Sequence, residues 1–331
     1  MMTELDAFYK DKTILVTGGC GSIGSNLVRR LFEFDPRVIR IFDNNEAGLY
    51  ELQQDLLSNK IRVLIGDLRS KHRVNRAVEG VDILFHAAAL KHVPLCEYNA
   101  FEAVQTNVNG TQNVIDAALD HEIDKVMLIS TDKAVNPRNV MGATKLLAER
   151  LTISANYYKG SRKTAFSCVR FGNVLNSSGS VVPLFAKQMR ERRCITITDT
   201  SMTRFVMIIS QAVDLILRAT MRMRGGEIFV LKMPAVNITD LVRAVIAELG
   251  PSCGVTPEDV VIKCIGKRPG EKIHEELMTE DEAQHATETD GLYVIDLGSR
   301  DAQTDSPKAD YTSNFSTRLS EDEIRKILRE R

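Results

Sequence analysis

The chain of 331 residues contains no tryptophan, no run of 18 apolar residues and no sustained basic tract. With 43 Lys+Arg against 44 Asp+Glu the net charge is −1, so its charge balance offers nothing to a nucleic-acid backbone or an anionic membrane surface. Arg222 and Arg224 form too short a basic run to alter this. The lack of a long apolar run argues against a bilayer-spanning helix. Residues 1–12 are polar, carry Asp6, Lys10, Asp11 and Lys12, and lack the apolar centre of a signal peptide, so a cytoplasmic location is expected. Six cysteines stand at 20, 96, 168, 194, 253 and 264 with no C-x-x-C pair, and the six histidines have no ligand spacing. These patterns favour buried, reduced thiols and no metal.

What is present is a rhythm. Short β-branched runs at 13–16, 38–42, 61–65, 83–85 and 126–129 alternate with segments of helical period at 22–34, 49–57, 74–78 and 108–119. This β-α-β-α order predicts a Rossmann-like, doubly wound parallel sheet with helices on both faces. A long helix over about 139–158 and a sixth strand at 165–169 extend it. Past residue 172 the loops lengthen. Short strands at 195–197, 228–231 and 260–263 mix with helices at 182–191, 210–221 and 239–249. The reading is a dinucleotide-binding domain at 1–172 and a smaller α/β substrate domain at 173–331, with parts of the latter returning to the sheet. Residues 299–313 read as an exposed polar excursion, and Ser320 with Glu323 as the capping box of a last helix.

Thr17-Gly18-Gly19-Cys20-Gly21-Ser22-Ile23-Gly24 lies between the first strand and the first helix. Glycines there permit a tight turn and let backbone N–H groups approach a pyrophosphate at the positive end of the helix. Gly18, Gly21, Ser22, Ile23 and Gly24 are the candidate contacts. Asp43 ends the second strand, where an acid binds the ribose hydroxyls of NAD. Asp67, followed by Leu68, is placed to meet the adenine amine, and Ala87, Ala88 and Ala89 are small enough for a dinucleotide to pass. Asp43 favours NAD because a carboxylate repels a 2′-phosphate; NADP stays open because Arg69 is near enough to fold in.

The sequence resembles the extended short-chain dehydrogenase/reductase family in this glycine turn, in His86-Ala87-Ala88-Ala89, in Thr106-Asn107-Val108-Asn109-Gly110-Thr111 and in Lys145. More narrowly it resembles the UDP-N-acetylglucosamine 4,6-dehydratases of the polysaccharide-biosynthesis (CapD-like) branch. Lys91-His92-Val93-Pro94, Thr131-Asp132-Lys133-Ala134-Val135-Asn136-Pro137, Met141-Gly142-Ala143-Thr144-Lys145, Arg170-Phe171-Gly172-Asn173-Val174, Thr203-Arg204-Phe205 and Arg268-Pro269-Gly270-Glu271-Lys272-Ile273-His274-Glu275-Glu276 carry that likeness.

The resemblance implies C4 oxidation, loss of the C5 proton and the C6 hydroxyl, and hydride return to C6. It makes Asp132 the acid and Lys133 the base, a pairing that suits adjacent carboxyl and amine groups with shifted pKa values. Thr131 is the third member of the catalytic turn. Lys145 corresponds to a lysine that binds the nicotinamide ribose and activates a tyrosine four residues earlier; here that position is Met141, which has no transferable proton. The base for C4 is then Lys133, Asp132 or a water polarised by Thr131. Lys91, Asn173, Arg204, Arg268 and Glu271 are the implied UDP-sugar contacts. The superfamily also implies a homo-oligomer. A 4-epimerase and a non-catalytic NAD sensor are the competing readings.

Overall fold

The run Thr13–Thr17 is buried at every position, as a strand covered on both faces must be. It is β1 of the computed structural model, which describes residues 3–175, 177, 179–298 and 311–329. Five strands follow with helices between them: β2 (Val38–Asp43), β3 (Ile61–Ile65), β4 (Ile83–His86), β5 (Lys125–Ile129) and β6 (Ala165–Arg170). They pair in parallel in the order β3-β2-β1-β4-β5-β6. The order reverses between β1 and β4, which opens a crevice at the carboxyl ends of those strands. This is the doubly wound α/β fold expected from the alternation.

The later strands are β7 (Asn173–Val174), β8 (Cys194–Ile197), β9 (Thr203–Met207), β10 (Glu227–Leu231), β11 (Ala235–Asn237), β12 (Val261–Cys264), β13 (Glu276–Met278), β14 (Ala286–Thr289), β15 (Leu292–Asp296) and β16 (Tyr311–Thr312). β10 adds beside β6 in parallel, then β15 and β14 add antiparallel, giving nine strands. The sheet is therefore not built from residues 1–172 alone. A second apolar core gathers Phe185, Met189, Ile195, Leu241, Val245, Ile324 and Leu328. It joins the helices Val181–Arg192, Ile238–Leu249 and Glu321–Arg329. The capping box of the last helix is present: Glu323 N donates to Ser320 Oγ (3.4 Å) and Ser320 N to the Glu323 carboxylate (2.8 Å).

Two expectations change. The helix expected from 108 begins as a π-helical turn, Val104–Asn109, and becomes α-helical only at Gly110–Asp120. The wide turn lets the buried Asn107 side chain span Leu90 and Thr144, accepting from Leu90 N (2.8 Å) and donating to Leu90 O and Thr144 Oγ1 (3.0 Å each). The excursion expected at 299–313 lies outside the described residues as far as 310, and its last three are not exposed. Tyr311 and Thr312 pair with β13, and Ser313 is buried.

Candidate active site

Gly18 adopts φ +68°, and a Cβ there would fall 2.6 Å from the backbone of Ala88. The glycine turn and the 87–89 segment thus cross at a distance only glycine permits. Gly24 is equally constrained: its Cβ would lie 2.2 Å from Gly18 O. Gly21 caps the helix Ser22–Phe32 with no side chain in the way, leaving the first N–H groups facing the crevice.

A cavity of about 710 Å³ fills that crevice. Every residue expected to touch the cofactor lines it: Gly18, Gly21, Ser22, Ile23, Gly24, Asp43, Asp67, Leu68, Ala87, Ala88, Ala89 and Lys145. Thr131, Lys133, Met141, Lys91 and Asn173 line it too, whereas Asp132, Arg204, Arg268 and Glu271 do not. Asp43 is drawn to the glycine turn, accepting from Cys20 N (2.9 Å) and Asn45 N (3.0 Å). Asp67 is engaged by its near neighbour: both its oxygens accept from Arg69 Nε (3.0 and 2.9 Å), whose guanidinium also reaches Glu102 (2.7 Å). That contact holds the Asp67 carboxyl below its ordinary range, so an adenine amine would compete with Arg69 for it.

Beyond β5 the chain makes a single 3-10 turn, Asp132–Ala134, capped by Thr131. Asp132 is fully buried. Its Oδ1 accepts from Thr131 Oγ1 (2.8 Å) and Lys133 Nζ (2.9 Å), while Oδ2 has no partner. Burial pushes this carboxyl up, against the pull of Lys133. Lys133 Nζ also lies 3.4 Å from Glu275 Oε1. Burial favours its neutral form, but Asp132 and Glu275 outweigh that and raise its pKa. The lysine expected as a base is therefore held as an ammonium between two carboxylates.

Lys145, one turn along the helix Val140–Tyr158 from Met141, donates to Ile129 O (2.6 Å). Burial brings its pKa down to about 8, opposed by Glu149. Met141 is buried beside Cys96 and Ala103. His86, quoted from the sequence only within His86–Ala89 and given no role there, is fixed between Thr17 Oγ1 (2.7 Å) and Thr111 Oγ1 (3.1 Å). Burial and then the Lys145 charge push it down to about 3, so it stays neutral.

One of the implied UDP-sugar contacts already has partners within the protein. Arg204 donates to the carbonyls of Thr203 (2.8 Å), Ile273 (2.9 Å) and Lys272 (3.0 Å), and its Nε lies 3.7 Å from Glu275 Oε1. Glu271 meets Thr198 Oγ1 (3.2 Å), and its carboxylate accepts from Arg268 N (3.1 Å). The Arg268 side chain is exposed. The triplet His274-Glu275-Glu276, which could mimic a metal cluster, sends its side chains apart: His274 to Thr203, Glu275 to Lys133, Glu276 to Asn136. Glu275 entered the sequence reading only as part of the segment Arg268–Glu276. A carboxylate so far along the chain from Lys133 gives no local signal of their contact.

The fold and cavity define a class: a dinucleotide-binding α/β enzyme of the short-chain dehydrogenase type, with an acid–lysine pair at the carboxyl end of β5. Residues 14–297 match the family described as polysaccharide biosynthesis protein, and the chain belongs to that family of nucleotide-sugar dehydratases and epimerases. It is 57% identical over 330 residues (100% of this chain, 99% of the relative) to an "uncharacterized membrane protein" of Methanocaldococcus jannaschii. Among the described residues no helix is long and apolar enough to cross a membrane. It is 41% identical to the inverting UDP-N-acetylglucosamine 4,6-dehydratase of Campylobacter jejuni (87% of this chain, 83% of that one). It is 38% identical to a UDP-glucose 4-epimerase of Rickettsia prowazekii (97% and 96%). The solved structure of Pen from Bacillus thuringiensis superposes with a TM-score of 0.93 at 43% identity, covering 98% of each chain. At 22% identity and TM-score 0.70, covering 79% of this chain and 86% of that one, the dTDP-glucose 4,6-dehydratase DesIV of Streptomyces venezuelae shares the fold; its structure holds NAD.

Proposed function

We propose that the protein is a nucleotide-sugar 4,6-dehydratase that uses NAD and acts on UDP-N-acetylglucosamine. The observation that carries this reading is the Asp132–Lys133 contact of 2.9 Å, with Asp132 Oδ2 buried and unpartnered. An epimerase, which only inverts C4, has no use for such a pair. The glycine cradle at Gly18 and the acid Asp43 fit NAD, which supplies hydride acceptance from C4 and hydride donation to C6. Residues 173–331 supply the sugar-nucleotide contacts in this reading, Lys91 joining them across the cavity.

The pair holds one proton between its two sites. Its transfer from Lys133 Nζ to Asp132 Oδ1 gives a neutral amine and a carboxylic acid, the state that elimination requires. The unpartnered Oδ2 favours that acid, since a buried carboxylate oxygen without a donor is costly. Oxidation at C4 makes the C5 proton acidic. Lys133 takes it, the C5–C6 double bond forms as the C6–O bond breaks, and Asp132 gives its proton to the departing hydroxyl as water. The pair ends as ammonium and carboxylate. We also infer a homo-oligomer: Leu95, Tyr98, Phe101 and Leu147 are exposed large apolar side chains on adjoining helices.

The 38% identity to epimerases makes C4 inversion the second reading. Incubation of UDP-N-acetylglucosamine in D₂O, with product NMR, separates them. The dehydratase product carries deuterium at C5, and a C4-deuterated substrate yields product labelled at C6. Return of the label to C4 with the C6 hydroxyl intact would establish the epimerase; its return to C4 after loss of that hydroxyl would refute hydride delivery to C6.

A further inference from the structure

Glu275 is buried and does not line the cavity; what it meets is Lys133, which does. Its backbone is fixed at both polar groups by one residue: Glu275 N donates to Ser313 Oγ (2.9 Å), and Glu275 O accepts from Ser313 N (2.8 Å). Ser313 Oγ is held in turn against Thr203 Oγ1 (2.7 Å). The carboxylate is thereby aimed at Lys133, with Oε1 3.4 Å from Nζ and 3.7 Å from Arg204 Nε. Its Oε2 has no partner. A scaffold would gain more from an apolar side chain than from a buried, half-satisfied carboxylate.

We propose that Glu275 is a positioning residue for the Asp132–Lys133 pair: its carboxylate fixes the lysine and supplies the negative charge that stabilises the ammonium formed on taking the C5 proton. The proposal rests on the dehydratase reading above. Between the two proton transfers Asp132 is a neutral acid. Among the described residues, Glu275 is then the one side-chain anion left within 4.0 Å of Lys133 Nζ. Fixed charge at a site where charge develops, in a dry environment, acts more strongly than in water. The other charged and titratable groups facing this point are Arg204 from β9 and, on the segment of Glu275 itself, Lys272, His274 and Glu276. Lys272 is turned to Val135 O (2.6 Å), His274 to Thr203 and Glu276 to Asn136, so none of the three reaches Lys133.

The test is the pH dependence of UDP-N-acetylglucosamine dehydration by the wild-type protein, E275Q and E275L, with bound NAD assayed in each. Loss of an anion at this distance lowers both apparent pKa values of the pair, so both limbs of the rate profile move to lower pH, by about one unit or more. The turnover number falls roughly 100-fold, the low end of the loss on removing one fixed electrostatic partner, while KM and NAD content stay close to wild type. Limbs that do not move, whatever the rate, would overturn the proposal. So would failure of both variants to fold with NAD bound, which would assign Glu275 to the scaffold. No dehydration by the wild-type protein would instead sink the underlying function, and this proposal with it.

Discussion

A Cβ on Gly142 would sit 2.2 Å from the carbonyl oxygen of Lys133. The 3-10 turn that carries the acid–base pair therefore rests directly on the first turn of the helix that carries Met141 and Lys145. Replacing a helical glycine with alanine ordinarily stabilises by about 0.5–1 kcal/mol. In Gly142→Ala the turn must instead move, taking Lys133 from the cavity wall. Turnover should fall at least about tenfold, since small misplacements of reacting groups are costly, while NAD binding is kept. A higher melting temperature with undiminished turnover would show that the contact does not position Lys133.

Lys133→Ala and Asp132→Asn should each lower the dehydration rate by roughly 10²–10⁴, the usual contribution of a general acid or base. Each should leave nucleotide content unchanged. Kinetics at saturating substrate provide the check, and a loss below about threefold in both would remove the pair from the chemistry.

The sheet was legible because strands such as Thr13–Thr17 are β-branched runs buried on both faces, and the glycine turn because its spacing is local. The added antiparallel edge was not, since in Ala286–Thr289 the side chains of Glu288 and Thr289 are exposed and break the apolar pattern. Among the site residues, those on one turn, Thr131 to Lys133, could be grouped from sequence alone. Glu275 could not, because its contact with Lys133 depends on β13 pairing with β16 and on Ser313 returning beneath it. The surroundings of Arg204 were hidden for a related reason: the carbonyls of 272 and 273 that accept from its guanidinium arrive from a distant loop.

Arg170, at the end of β6, is clamped between Glu149 and Glu282, with contacts of 2.7 Å to each. Burial alone would raise the Glu282 carboxyl, but its hydrogen bonds to Arg170 prevail and lower it. A carboxyl lowered in the folded state contributes stability that is present above its ordinary value of 4.5 and is lost as pH falls below it. Glu282→Gln should cost about 3–5 kcal/mol at neutral pH, as breaking a buried pair does. The gap between variant and wild type should close on acidification. Denaturant unfolding at pH 7 and near pH 4 measures both, and a gap independent of pH would show that the carboxylate charge is not what stabilises.

Asp43 sits at the cofactor end of the cavity, one oxygen accepting from Cys20 N of the glycine turn and the other from Asn45 N. A 2′-phosphate there would meet fixed negative charge. Nucleotide released by denaturing the purified protein should therefore be NAD by mass. Recovery of NADP alone would mean that Arg69 leaves Asp67 to neutralise the phosphate.

Met141 occupies the place where a tyrosine would stand above Lys145, and it is packed among Cys96, Ala103 and partly buried Val93 and Val140. A thioether neither gives nor takes the C4 hydroxyl proton. In this chain the candidates to take that proton are Lys133, Asp132 or a water held by Thr131, all on the turn that packs against the start of the same helix. Met141→Tyr places a phenol near an amine whose pKa burial has already lowered to about 8. If the native groups serve C4 oxidation well, the added phenol changes the rate only modestly or slows it by crowding Cys96 and Ala103. Stopped-flow formation of NADH absorbance isolates the C4 step from elimination. A gain of about a hundredfold in that step would show that the native cavity lacks an effective C4 base. An unchanged or slower step would leave Lys133, Asp132 and the Thr131-bound water as the groups sufficient for it.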